Sequence, residues 1–205
     1  MVPKTETAAA TTDRGGATRR HIIEAAAHAF AEHGYSGISL NDIVRESGLT
    51  KGAFYFHFPS KEALAIAVFH DRQDRWVAKT LAGVMEHPKA IDQLEAMLDI
   101  GCEIHEGDGS ARAISRLCQE WSSQEDLVEH SRSHLTRWFE ITAEVIRRGQ
   151  EEGDIRPEID PLRTAETLCS AFIGIEEVSA AMSGLEDFRA RIEGLRALTL
   201  AAIKK

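Results

Sequence analysis

No apolar run in the 205 residues approaches the ~20 needed to cross a bilayer, which excludes a helical membrane span and predicts a cytoplasmic protein. Residues 1–17 (MVPKTETAAATTDRGGA) lack the apolar core of a signal peptide and are rich in Ala, Thr and Gly; they are read as a disordered tail. Cysteine is scarce. Cys102, Cys118 and Cys169 are odd in number, far apart and without CxxC spacing, so neither a disulfide framework nor a zinc site is expected. GxSxG, HExxH and Gly-rich phosphate loops are also missing, which argues against an enzyme and calls for no cofactor and no metal. His130 and His134 share the i, i+4 spacing of two ligands on one helical face, but without a further ligand nearby they read as solvated histidines. A global excess of positive charge is lacking too. The net charge is −9, yet residues 1–61 hold seven Lys+Arg against six Asp+Glu, so the acid is concentrated in the remainder. Any contact with nucleic acid must come from a local surface in the first third of the chain.

Almost every segment repeats its apolar residues with helical period, and none alternates like a strand, so an all-α protein is predicted. From Thr18 to His33 the stripe Ile22, Ala26, Ala29, Phe30 faces one way, and Gly34 closes it. Ser39 precedes Leu40-Asn41-Asp42-Ile43-Val44 with an acid three residues on, close to a capping box. That second helix stops at Gly48. A third, Lys51 to His57, starts behind the candidate cap Thr50 and is ended by Phe58-Pro59. A fourth runs from Ser60 to about Gly83 without a flexible break. Further helical patterns fall at about 90–106, 110–121, 124–151, 161–182 and 186–203.

The connection Ser47-Gly48-Leu49-Thr50 is the short Gly-containing turn of a helix-turn-helix. Gly52 lies inside the third helix, where it costs about 1 kcal/mol relative to Ala, and small Ala53 is beside it. Together they let a backbone approach something closely. Thr50 and Lys51 stand where a recognition helix meets base edges, and Lys51 suits guanine O6 or N7. Tyr55 and His57 suit phosphate oxygens, while Phe54 and Phe58 point to the core. Lys61 in the first turn of the fourth helix opposes the helix dipole unless a phosphate sits there; the plain alternative is a solvated surface charge.

From Thr18 to Phe69, and above all from Gly34-Tyr35 through Gly48-Leu49-Thr50-Lys51-Gly52-Ala53-Phe54-Tyr55-Phe56-His57-Phe58-Pro59-Ser60-Lys61, the chain resembles the TetR family signature. The resemblance implies a three-helix DNA-binding domain at residues 18–64 and a larger helical ligand-binding and dimerisation domain at 65–205. It also implies a homodimer built on the last two helices, and release from double-stranded operator DNA when a small molecule binds. The family's contact positions map onto Thr50, Lys51, Gly52, Ala53, Tyr55, His57 and Lys61, with Ser39 at a phosphate.

The last two helical patterns carry small residues at Ala171, Gly174, Ala180 and Ala181, which permit close helix packing; finishing the monomer core is the alternative use for them. Bundles bind ligands between facing apolar stripes, and the candidate lining is Trp76, Met85, Ile104, Leu117, Cys118, Trp121, Leu135, Trp138, Phe139, Thr142 and Phe172. The segments His134 to Ile141 and Gly149 to Ile155, with Tyr55-Phe56-His57-Phe58, resemble the γ-butyrolactone receptor branch of the family. That resemblance places Trp138 over the effector pocket, with Thr142 as a polar partner one turn on. Ile175 departs from the polar residue of some relatives, and the effector stays open among a γ-butyrolactone, a butenolide, a furan or another small lipophilic signal. The rivals are a sensor of a drug or metabolite such as an acyl thioester, marked by a basic entrance, and a ligand-independent DNA binder, marked by a filled core. Ligand binding is expected to move the helix bearing Trp138, lever the fourth helix and spread the recognition helices.

Overall fold

The computed structural model describes residues 6–107 and 111–205, and among these the chain forms nine helices and no strand. They are α1 (Glu6–His33), α2 (Leu40–Glu46), α3 (Lys51–His57), α4 (Lys61–Val84), α5 (Ala90–Gly107), α6 (Arg112–Trp121), α7 (Val128–Glu152), α8 (Pro161–Ser183) and α9 (Phe188–Ile203). The expected tail needs correction: residues 1–5 lie outside the described residues, but from Glu6 onward the chain is already helical. Ala8, Ala9 and Ala10 favour a helix, and no proline after Pro3 interrupts it before α1 ends.

The boundaries follow local chemistry. Ser39 accepts a hydrogen bond from the Asp42 amide at 3.2 Å, Thr50 from Ala53 at 3.3 Å and Ser60 from Ala63 at 3.0 Å, so three successive helices begin on hydroxyl caps. Gly34 and Gly48 sit at φ +73° and +69°, the left-handed conformation that ends α1 and turns the chain between α2 and α3. Asp160 caps α8 by accepting from Arg163 at 2.8 Å, and Pro161 occupies its first turn.

The chain divides into two compact units: Met1–Asp74 with Gly109–Leu127, and Arg75–Asp108 with Val128–Lys205. This differs from the expected division at residue 64 in two ways. α4 contributes to both units, and α6 belongs with the helix-turn-helix. The physical reason for the second is its apolar face, since Ala113, Leu117 and Trp121 are buried in the same core as Ile22, Phe30, Phe54 and Phe69. The Trp121 ring lies 5.2 Å from that of Phe69 and meets Tyr35 edge-on at 6.3 Å. Glu120 then holds the turn after α1, its two oxygens accepting from the amides of Tyr35 at 2.6 Å and Ser36 at 2.7 Å. A Cβ at Gly34 would collide with that carboxylate, a second reason for glycine there.

In the second unit, Ala90, Leu94, Ala143, Ile146, Ala165 and Ile203 bring α5, α7, α8 and α9 together, and a second cluster forms around Cys102, Phe172, Phe188 and Ile192. The chain end is tied back, with the Arg156 amide donating to Ile203 at 2.9 Å. His134 corrects another expectation. It is 7% exposed and packs edge-on against Trp76 at 6.1 Å, so it is a core histidine and not a solvated one. Its burial, helped by the positive charge of Arg137, pushes its pKa down to about 4.

Two acid-sensitive groups follow. His134 is neutral when folded and takes up a proton more readily when unfolded, so stability falls as pH drops from about 6.5 towards 4. Thermal melts of His134→Leu should lose that slope. Burial raises the Glu120 pKa, but hydrogen bonds from Ser36 and Tyr35 and the charge of Lys61 outweigh it and hold the carboxyl below its ordinary value. Its stabilisation is complete above the ordinary carboxylate range and lost as pH falls through the lowered value. Glu120→Ala, which orphans two amides, should lower stability at neutral pH by about 1–3 kcal/mol in denaturant titrations.

Candidate nucleic-acid interface and ligand cavity

α3 is a two-faced helix. Phe54 and the capping Phe58 are buried at 0% and 2% exposure and anchor it to the core, which leaves the opposite side free. Of the eight residues mapped as contacts, Ser39, Thr50, Lys51, Gly52 and Tyr55 are exposed, and Ala53, His57 and Lys61 are half-buried. A Cβ at Gly52 would meet nothing within 4 Å, so the chain's own packing does not require glycine there. The turn beneath is braced, because Ser47 donates its hydroxyl to Val44 at 2.8 Å and its carbonyl lies 2.9 Å from His21 Nε2.

Two mapped residues have partners within the chain. Ser39 donates to the Asp42 carboxylate at 2.5 Å while capping α2, and its hydroxyl is thus already oriented. Lys61 lies with Nζ 4.5 Å from the centre of the Tyr35 ring, a cation–π contact, and burial pulls its pKa below the usual lysine value against the opposing charge of Glu120. An intramolecular partner therefore explains Lys61 at least in part. Phe56 has no role in the sequence pattern, which sends only Phe54 and Phe58 to the core; it is 84% exposed, between Tyr55 and His57. The signal was available in the helical period, which places residue 56 away from both 54 and 58. Arg19, Arg20 and Arg45 are also exposed in this unit.

The second unit holds a cavity of about 50 Å³ lined by Trp76, Leu94, Met97, Leu98, Gly101, Trp138, Thr142, Leu168, Cys169, Phe172, Arg196, Thr199, Leu200 and Ile203. Trp138 is its hub, with Trp76 edge-on at 5.2 Å and Phe172 edge-on at 5.7 Å. Thr142 Oγ1 stands 3.7 Å from Cys169 Sγ, and burial raises that thiol to about 12, which keeps it protonated and unreactive. Trp76, Trp138, Thr142 and Phe172 thus come together as the bundle argument expected. The other candidates do not. Trp121, Leu117 and Cys118 are in or against the core of the first unit, because α6 packs there; Met85 is 82% exposed just beyond α4. Leu135, Phe139 and Ile104 are half-buried outside the lining.

What the sequence reading missed is the wall supplied by α9. Arg196, Thr199, Leu200 and Ile203 fall at i, i+3, i+4 and i+7, a single helical stripe that had been assigned to dimer packing. The opposite stripes of the last two helices are open. On α8, Gly174, Val178, Ala181 and Met182 are exposed, and on α9, Gly194, Ala197, Leu198 and Ala201. Cβ atoms at Gly174 and Gly194 would touch nothing within 4 Å. Among the described residues no helix is long and apolar enough to cross a membrane, and no group of three or more His, Cys, Asp or Glu is placed to hold a metal ion.

Residues 22–68 match the family model described as bacterial regulatory proteins, tetR family. The A-factor receptor protein of Streptomyces griseus is 33% identical over 178 residues; the match takes in 85% of this chain and 59% of that protein's length. The HTH-type transcriptional repressor DhaR of Mycobacterium sp. (strain GP1) is 32% identical over 164 residues, covering 76% of this chain and 79% of the repressor. Among solved structures, one described as "Molecular basis for control of antibiotic production by a bacterial hormones" superposes with a TM-score of 0.82 at 33% identity, covering 92% of this chain and 98% of its own. Full-length native tylp, a TetR regulator from Streptomyces fradiae, follows at 0.76 and 29%, covering 94% and 89%. With the signature seated on α1 to α4 and the likeness continuing through the cavity-bearing helices, the chain belongs to the TetR family of bacterial regulatory proteins.

Proposed function

We propose that the chain is a repressor that grips operator DNA as a homodimer through α3 and lets go when a small lipophilic effector enters the cavity. The observation that carries this reading is α4. One uninterrupted helix begins soon after α3 ends and carries Trp76 into the cavity wall 15 residues after its first residue, Lys61. A cavity of about 50 Å³ is far smaller than the several hundred Å³ that enclose a drug-sized ligand, so an occupant must part the helices around it. Displacing Trp138 displaces Trp76 with it, and α4 has no internal break to absorb the shift. Spreading of the two recognition helices is the expected outcome in the dimer.

The lining favours a lactone-like signal over an acyl thioester. An acyl thioester carries phosphates that need a basic entrance, and Arg196 is the one charged residue among the described lining. The likeness to the A-factor receptor protein supports the same branch. A filled core, the mark of a ligand-independent binder, does not fit a lining that leaves room beside two tryptophans.

Dimerisation through α8 and α9 is supported by their open small-residue stripes. Of eight large hydrophobic residues exposed among the described residues, Leu162, Val178, Met182 and Leu198 are on these two helices. Val178→Asp with Leu198→Asp should give a monomer in analytical ultracentrifugation and should weaken operator binding sharply.

With an operator selected from random duplexes, Lys51→Ala should cost about 1–3 kcal/mol in fluorescence anisotropy and relax preference at one base pair. Equal losses on selected and random DNA would move Lys51 from base to phosphate. A γ-butyrolactone with an alkyl side chain should weaken operator binding by about 5- to 150-fold, the range of ordinary allosteric coupling. A lactone that binds the protein and leaves operator affinity unchanged would sink the release mechanism.

A further inference from the structure

The apolar stripe of α9 opens with a cation. Arg196 takes the first place in the series completed by Thr199, Leu200 and Ile203, where an aliphatic side chain would suit the cavity better. Its Nη2 donates to Asp99 on α5 and lies 3.4 Å from Glu193. Asp99 also faces Arg189 at 3.8 Å, and Arg189 pairs with Glu106 at 2.7 Å. The network therefore holds three carboxylates and two guanidinium groups, and the charge of Arg196 is already more than balanced. Its Nε–H is buried and has no hydrogen-bond partner among the described residues.

A purely structural role, tying α9 to α5, accounts for the Asp99 contact but not for the unused donor. A buried N–H without an acceptor is destabilising, and a guanidinium that keeps one free can take a further acceptor without giving up its carboxylate. The local charge decides which acceptor. A ligand carboxylate would meet the like charges of Asp99 and Glu193 beside the guanidinium, whereas a carbonyl oxygen brings the acceptor without the repulsion.

Building on the cavity reading above, we propose that Arg196 donates a hydrogen bond to the carbonyl oxygen of a neutral effector, an ester or lactone and not a free acid, and so sets the chemical class the cavity accepts. The hydrocarbon part of such a ligand lies against Trp138 and Phe172. Opening the lactone ring to a hydroxy acid weakens binding, which makes the state of the ring the recognised feature.

The test uses the full chain and three probes that share a six-carbon alkyl chain in isothermal titration calorimetry: γ-decalactone, its ring-opened form 4-hydroxydecanoate, and n-hexylbenzene. The lactone should bind at least about tenfold more tightly than the hydroxy acid. Arg196→Met removes the donors. Arg196→Lys keeps a cation for Asp99 but lacks the Nε–H, and its melting temperature should stay near that of the wild type. Both variants should lose about tenfold in lactone affinity while holding n-hexylbenzene within about twofold. Unchanged lactone binding by Arg196→Lys, or tighter binding of the hydroxy acid than of the lactone, overturns the proposal while n-hexylbenzene binding leaves the cavity reading in place. If neither n-hexylbenzene nor the lactone binds, both fall together.

Discussion

One helix has to satisfy two cores. The first half of α4 buries Leu64, Ala65, Val68 and Phe69 in the unit that carries α3, and its second half belongs to the unit that holds the cavity. An α-helix is stiff along its axis because each turn is bonded to the next, so neither half adjusts without affecting the other. Arg72, near the changeover, is only 4% exposed and pairs with Glu24 of α1, which binds the middle of α4 to the first unit. No proline interrupts the helix, and its one glycine, Gly83, comes in the last turn.

The electrostatics suit a protein that must not bind DNA indiscriminately. A chain of net charge −9 is repelled by phosphate at a distance, so any affinity for DNA has to come from a few placed donors. Arg19, Arg20, Arg45 and Lys51 are exposed, and Lys61 is held over the Tyr35 ring. Tyr35 is in turn positioned by its amide on Glu120 and its ring on Trp121. The cation near the start of α4 thus rests on a scaffold that includes α6. The two faces of α9 differ in a similar way, with Arg196 and Thr199 at the cavity and Ala197 and Leu198 exposed.

Much of this was legible in residue order because its causes are local. The hydroxyl caps Ser39, Thr50 and Ser60, the left-handed glycines 34 and 48, and the Phe58-Pro59 stop act within four residues of themselves, and the helices they bound came out close to the expected limits. The same holds for the inward phenylalanines of α3. The helical stripe of α8 was readable as a packing surface, although not which of its neighbours it meets.

Assignments that depend on distant partners were different. α6 has an apolar face that would fit either unit, and Trp121 is equally plausible as a pocket wall or a core plug; only its meeting with Phe69 and Tyr35 decides the matter. His134 looks like a surface histidine by spacing and is buried because Trp76 arrives from another helix. Arg196 reads as an ordinary helix charge until α5 brings Asp99 to it. By itself, then, the sequence determined the order of the amphipathic helices and most of their ends, all consequences of interactions a few residues long. Tertiary structure alone decided which faces share a core, which enclose the cavity and which stay open, because a helix face is defined by period but its partner is chosen by packing across the whole chain.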